Sequence, residues 1–189
     1  MMNFITKLKK QKEILAIFEE DFNLINNIEE SIKCISTALN KNLPVLIAGN
    51  GGSASDALHI TGELVGRFLI ERKALNVLCL NSNVSVLTAW SNDYSYETCF
   101  SRQIEAHGLK GGVFWGISTS GNSKNIVNAL KIARKMDVNT ISLTGKDGGE
   151  CKNYSDYLLN IPSKNTPEIQ ELHILVYHYM CEKIEIETC

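Results

Sequence analysis

A short apolar run that stops at a cluster of glycines and restarts as a helix constrains this chain more than any other feature. Pro44 to Ala48 (PVLIA) shows no polar alternation, the pattern of a strand buried on both faces of a parallel sheet. It ends at Gly49-Asn50-Gly51-Gly52-Ser53, and helical spacing then resumes through Ala57, Ile60, Leu64 and Phe68. The same order recurs downstream. Leu75 to Leu80, Gly112 to Ser118 (GVFWGIS), Thr140 to Leu143 and Tyr157 to Ile161 read as four further strands, separated by helical stretches. Asn122 to Lys135 is a crossover helix that opens on polar caps and turns Ile126, Val127, Leu130 and Ala133 inward. Strands alternating with helices predict an α/β fold, a doubly wound five-stranded parallel sheet flanked by helices. Such sheets bind ligands outside the carboxyl ends of their strands.

Ahead of the first strand lies a helical arm. Ile14, Phe18, Phe22, Ile25, Ile28, Ile32, Ile35 and Leu39 recur at steps of three or four, one face of a helix, with a break expected near Asn26-Asn27. The final stretch, Glu168 to Ile186, is apolar on most sides, which predicts a helix buried in the molecule or in an oligomer interface. At 189 residues the chain suits one domain, divided into the arm (1–42) and an α/β core with its C-terminal helix (43–189).

Composition removes several classes of function. A formal charge of -2 lacks the basic excess that counterion release on nucleic acid exploits, so no nucleic-acid partner is expected. The six cysteines form no C-x-x-C pair, which argues against a zinc ribbon or a thioredoxin-like motif and for free thiols in a reducing cytosol. There is neither a signal-peptide core nor a membrane-spanning run, so the expected location is the cytoplasm, away from membranes.

Asn50-Gly51-Gly52-Ser53 stands where a strand feeds a helix, a place where glycines admit a ligand to the backbone and first-turn amides point at it. Packing of a tight turn is the plainer alternative. Gly49-x-Gly51-x-x-Ala54 also resembles a dinucleotide fingerprint, but Leu80-Asn81-Ser82 supplies no acid at the end of the next strand. A P-loop fails too, because no Gly-Lys-Ser/Thr follows. The second glycine turn, Ser118-Thr119-Ser120-Gly121-Asn122-Ser123, puts four hydroxyls at a helix N-terminus. It suits a phosphate monoester, because hydroxyls and amides donate hydrogen bonds while the helix dipole favours the charge; capping alone explains only one or two of these residues. His59 and Glu63, four apart, share a helix face, and Gln170 and His178, eight apart, face broadly one way on the last helix. Each pair alone is as well explained by packing or exposure. Together they offer two imidazoles, a carboxylate and an amide oxygen, a four-ligand zinc set. His173 and His107 read as packing or interface residues.

The stretch GNGGSASDALHITGEL (49 to 64), the pair Asn92-Asp93, the run STSGNSKN (118 to 125) and IQELHILVYH (169 to 178) closely resemble phosphoheptose isomerases, members of the sugar isomerase (SIS) fold group. The resemblance implies an aldose-ketose isomerase that converts sedoheptulose 7-phosphate to D-glycero-D-manno-heptose 7-phosphate through an enediol, supplying activated heptose for lipopolysaccharide or capsule. It further implies a homotetramer with sites shared between subunits. Asn50, Gly51, Gly52, Ser53, Glu63, Asn92, Asp93, Ser118, Thr119, Ser120, Ser123 and Gln170 would contact the sugar phosphate. His59, Glu63, Gln170 and His178 would hold one Zn2+ per subunit, with Glu63 the base and His178 the acid of the proton transfer. One departure is Thr166-Pro167-Glu168, where a small and then a basic residue are expected; Glu168 there is expected at the rim of the sugar site. The alternatives are a non-catalytic protein of the same fold, like the DnaA initiator-associating protein, and a sugar-phosphate sensor. Neither needs Glu63 and His178.

Overall fold

The computed structural model describes residues 3–189. Strands β1 (Val45–Ala48), β2 (Val77–Cys79), β3 (Val113–Ser118), β4 (Asn139–Gly145) and β5 (Tyr157–Ile161) form one sheet in the order β2-β1-β3-β4-β5. All four pairings are parallel. Side chains alternate across a strand, and both sets are buried. Val45 and Ile47 of β1 join Val113, Trp115 and Ile117 of β3 in the core on one face, while Leu46, Ala48 and Phe114 join the core on the other. That double burial is the physical reason the strands read as unbroken apolar runs.

On the first face lie α1 (Phe4–Glu19), α2 (Phe22–Asn40), α3 (Gly52–Val65) and α7 (Thr166–Glu187). On the second lie α4 (Val84–Asp93), α5 (Cys99–His107) and α6 (Lys124–Lys135). Among the described residues no helix is long and apolar enough to cross a membrane.

The arm does not break at Asn26-Asn27. α1 ends at Glu19 and α2 begins at Phe22, because the Asp21 carboxylate accepts from the Leu24 amide at 3.0 Å and caps the second helix. Asn27 stays inside α2 and donates its side-chain amide to the Leu158 carbonyl. Helix α3 is also shorter than its apolar spacing suggested. It stops at Val65, and residues 66–76 run irregularly to β2 with Phe68 packed against the core.

From β1 the chain moves outward to β2, then returns to the opposite side of β1 as β3. The crevice between β1 and β3, at the carboxyl ends of their strands, is therefore the switch point where sheets of this kind take ligands. Both glycine turns open onto it.

Candidate functional site

The first turn follows Ala48. Gly51 adopts φ 55°, ψ -121° and precedes α3 without any side-chain cap; the Ser53 and Ala54 amides turn back to the Asn50 and Gly51 carbonyls at 3.0 Å, which leaves the Gly51 and Gly52 amides at the helix start for a ligand. The backbone freedom is used here, since φ in this range is strained for residues with a Cβ. Gly52 is needed for another reason: a Cβ there would strike the side-chain amide of Gln170 on α7. Asn81, at the position where a dinucleotide fold would keep its acid, instead pins the turn. Its side chain accepts from the Gly49 amide at 3.1 Å and donates to the Gly49 carbonyl at 2.9 Å.

The second turn follows β3. Ser118 is buried and its hydroxyl donates to the Ser123 hydroxyl at 2.9 Å. The Ser120 hydroxyl accepts from the Asn122 amide at 3.1 Å. Gly121 takes φ 66°, and a Cβ on it would run into the backbone of Gly148 and Gly149. Ser123 stands at the N-cap of α6 without making a side-chain cap bond. Two helix N-termini without side-chain caps, one of them ringed by hydroxyls, therefore flank one crevice, an arrangement that favours an anion.

Two side chains tie these turns together. Asn50 and Asn125 exchange amide hydrogen bonds at 2.9 Å in each direction, and the Tyr96 hydroxyl donates to the Asn50 carbonyl oxygen at 2.7 Å. The role of Tyr96 is invisible in the sequence because its partner lies 46 positions away. Asn92 and Asp93 close α4, with Asn92 donating to Asp93 at 2.9 Å. Asp93 lines a cavity of about 630 Å³ among β2, α4 and α5, together with His107.

Helices α3 and α7 run side by side in the same direction, Gly52 beside Gln170 and His59 beside Tyr177 and His178. The His59 Nε2 lies 2.9 Å from the Glu63 Oε1, and the His59 and His178 rings meet edge-on at 5.0 Å between centroids. One ligand atom from each of His59, Glu63 and His178 lies within 4.8 Å of the others. The set fits zinc chemically, being two imidazoles and a carboxylate, three of the donors such an ion takes. The other ring nitrogen of His59, Nδ1, is held by the Tyr177 hydroxyl at 2.9 Å, the outer contact that orients a metal-binding imidazole. The hydroxyl can donate or accept, so it serves either ring tautomer. Burial, then the carboxylates and thiol of Asp56, Cys181 and Glu63, raise the Tyr177 pKa, and the hydroxyl stays protonated. Asp56, one turn before His59, has its carboxyl pushed up to about 6 by burial, partly offset by His59.

Gln170 does not join this trio within one chain. It lies eight positions before His178 on α7, ~12 Å along the axis at 1.5 Å per residue, and it sits against Gly52 instead. His173 points into the core, fully buried, with its Nε2 3.2 Å from the Thr144 carbonyl. Glu168 turns its carboxylate toward the helical arm. It is buried, bound by Lys10 at 2.7 Å and by the Ser163 hydroxyl at 2.6 Å. Burial raises its carboxyl pKa, but Lys10 and Ser163 outweigh that and hold it below the ordinary range. The acid that replaces an expected base is thus matched by a lysine from α1.

The SIS domain family matches residues 8–145. The phosphoheptose isomerase of Sulfurimonas denitrificans is 48% identical over 181 residues, 96% of this chain and 93% of that relative. Among solved structures, phosphoheptose isomerase from Neisseria gonorrhoeae superposes with a TM-score of 0.88 at 36% identity, covering 96% of each chain. The phosphoheptose isomerase from Francisella tularensis gives 0.87 at 34% identity, covering 97% of this chain and 98% of that one.

Proposed function

Since the chain belongs to the phosphoheptose isomerases of the SIS domain family, we propose that it interconverts sedoheptulose 7-phosphate and D-glycero-D-manno-heptose 7-phosphate through an enediol. The observation that carries the reading is the presence of two features in one fold. A hydroxyl-rich turn at a helix start suits the phosphate, and a cluster of His59, Glu63 and His178 suits proton transfer. A binding module or sensor of the same fold has use for the first feature only.

Isomerisation needs a base that takes the proton from the carbon beside the carbonyl and returns it to the neighbouring carbon. It also needs an acid that protonates the carbonyl oxygen as its double bond moves. Glu63 is the base: its carboxylate is partly shielded and held 2.9 Å from His59. His178, packed edge-on against His59 and Tyr177, is the acid. The amides and hydroxyls at Asn50, Gly51, Gly52, Ser53, Ser118, Thr119, Ser120 and Ser123 bind and orient the sugar phosphate, and Asn92, Asp93 and Gln170 complete its contacts. His59, Glu63 and His178 would hold zinc, with Gln170 of a neighbouring copy as the fourth ligand. When bound, the ion polarises the substrate oxygens as a Lewis acid.

The same reading makes the protein a cytoplasmic homotetramer whose sites are shared between copies, its product supplying activated heptose for lipopolysaccharide or capsule. Two observations support sharing. Gln170 of the same chain lies two turns from the trio, and the arm and α7 carry exposed apolar side chains, among them Phe4, Ile17, Phe22 and Leu175.

Turnover of sedoheptulose 7-phosphate by the purified protein, followed by product NMR before and after chelation, tests the proposal. Aldose formation that falls on chelation and returns with zinc supports both the reaction and the metal set. Turnover indifferent to chelation keeps the isomerase and removes zinc from it. No turnover under any metal condition overturns the reading in favour of a binding protein.

A further inference from the structure

Glu185 is fully buried near the end of α7, seven residues beyond His178 and so on the same helix face. Its carboxylate accepts from three consecutive amides of the irregular segment after α3: Phe68 at 3.1 Å, Leu69 at 2.7 Å and Ile70 at 2.9 Å. The guanidinium of Arg72, itself almost wholly buried, places its Nε 3.1 Å from Glu185 in an ion contact that lies off the hydrogen-bond direction. Burial alone would raise the Glu185 pKa. The three amides and the Arg72 charge outweigh it and hold the carboxyl below its ordinary value. A buried ion pair of this kind is poor value for stability alone, because well-packed apolar side chains often serve as well or better. Its geometry is more informative.

Arg72 continues away from Glu185 into the end of α3. One terminal nitrogen donates to the Glu63 carbonyl at 2.9 Å, and the other reaches the carbonyls of Gly66 at 3.3 Å and Lys73 at 3.1 Å. The amide that Glu185 holds at Phe68 belongs to the residue whose ring stacks on His178, 5.8 Å between centroids and 23° between planes. One buried pair therefore touches both ends of the proton-transfer apparatus. It holds the backbone of Glu63 through Arg72 and the ring face of His178 through Phe68.

We propose that Arg72 and Glu185 are positioning residues for the isomerisation, fixing the 66–72 turn so that the Glu63 carboxylate and the His178 ring keep their mutual placement. The inference rests on the isomerase reading for its consequence in rate, but the placement itself can be observed without turnover. Groups that orient a reactive shell without touching substrate typically cost 10- to 100-fold in activity when changed, so about that loss is expected here. It should appear in kcat with KM unchanged, because the sugar-binding turns are untouched.

The experiment uses the full chain as Glu185→Gln and, separately, Arg72→Lys. The second variant keeps a positive charge beside Glu185 and the Phe68 ring on His178 but removes the guanidinium that bridges to the Glu63 and Gly66 carbonyls. Each is checked for folding by circular dichroism, then assayed for kcat and KM, and the His178 ring C–H resonance is compared with wild type by NMR. Expected in both are a kcat lower by about 10- to 100-fold, an unchanged KM, and a His178 resonance displaced because the Phe68 ring shifts against it as the 66–72 turn loosens. A folded variant with wild-type kcat, or a His178 resonance that stays in place, overturns the proposal. Should Glu185→Gln fail to fold, Arg72→Lys decides by the same criteria. Should wild type itself not isomerise the sugar phosphate, the isomerase reading falls separately. The resonance then decides alone whether this pair positions the ring: displacement keeps the placement, and no displacement ends it.

Discussion

His173 lies fully buried on α7 with its Nε2 3.2 Å from the Thr144 carbonyl, and burial pushes its pKa down to about 4. The unfolded chain binds a proton on this ring below about pH 6.5 while the folded chain does not. Stability therefore rises with pH between those limits: the contribution is complete above pH 6.5 and is lost as pH falls through about 4. The gap corresponds to ~3 kcal/mol as an upper bound. Denaturant midpoints measured at pH 7 and pH 4.5 should fall less in His173→Leu than in wild type, and equal falls would show that other groups control acid unfolding. Glu63 is the contrasting case, partly exposed and 2.9 Å from His59. Glu63→Gln keeps the size of the side chain and the backbone carbonyl that Arg72 holds. Turnover should drop by about 10²–10⁴, the usual worth of a positioned base, with the melting temperature unchanged. Appreciable residual activity would remove Glu63 from that role.

Elements were legible in the sequence where burial imposes a pattern, and less so where it does not. The central strands β1 and β3 were plainest because they are covered on both faces and form apolar runs, while β4 and β5 showed through shorter apolar stretches, with polar residues on one side of β4 and β5 half-buried on one face. The two helices between β2 and β3 could not be placed individually. α4 buries none of its residues below the surface and so presents no apolar stripe, and α5 is only nine residues long. The break in the arm was set in the wrong place because a polar pair, Asn26-Asn27, looks like an interruption. The real boundary comes from Asp21, a capping residue whose signal is one side chain deep. That difference is measurable. Asp21→Ala removes the bond to the Leu24 amide and should cost ~1 kcal/mol, a fall in melting temperature of about 2–4 °C for a chain of this size. A melt identical to wild type would mean the helix start is held by its packing alone. Site residues followed the same division. The His59–Glu63 pair showed in its spacing and the hydroxyl turn in its composition, whereas Tyr96, Arg72 and Glu185 act on partners 46, 9 and 115–117 positions away. The spacing of Gln170 and His178 gave their common face but not which part of α3 each would meet.

At the scale of the whole molecule, the arm and the last helix leave apolar surface uncovered. Phe22 is 80% exposed and Ile17 56% exposed, with Phe4, Ile5 and Leu8 on the same arm and Ile174 and Leu175 on α7. Apolar surface in such concentration marks contact between chains more often than idle exposure. A ligand set divided between copies would also explain why Gln170 stands apart from the trio within one chain. The two ideas make one joint prediction. Sedimentation of wild type should give the mass of four 21.0 kDa chains, and Ile17→Asp with Phe22→Asp should lower the mass. If sites are shared, kcat should fall in proportion to the tetramer lost and recover as protein concentration is raised, since assembly follows mass action. A wild-type monomer with full turnover would place the complete site in one chain, and Gln170 would then be a substrate contact beside Gly52 rather than a ligand of the metal.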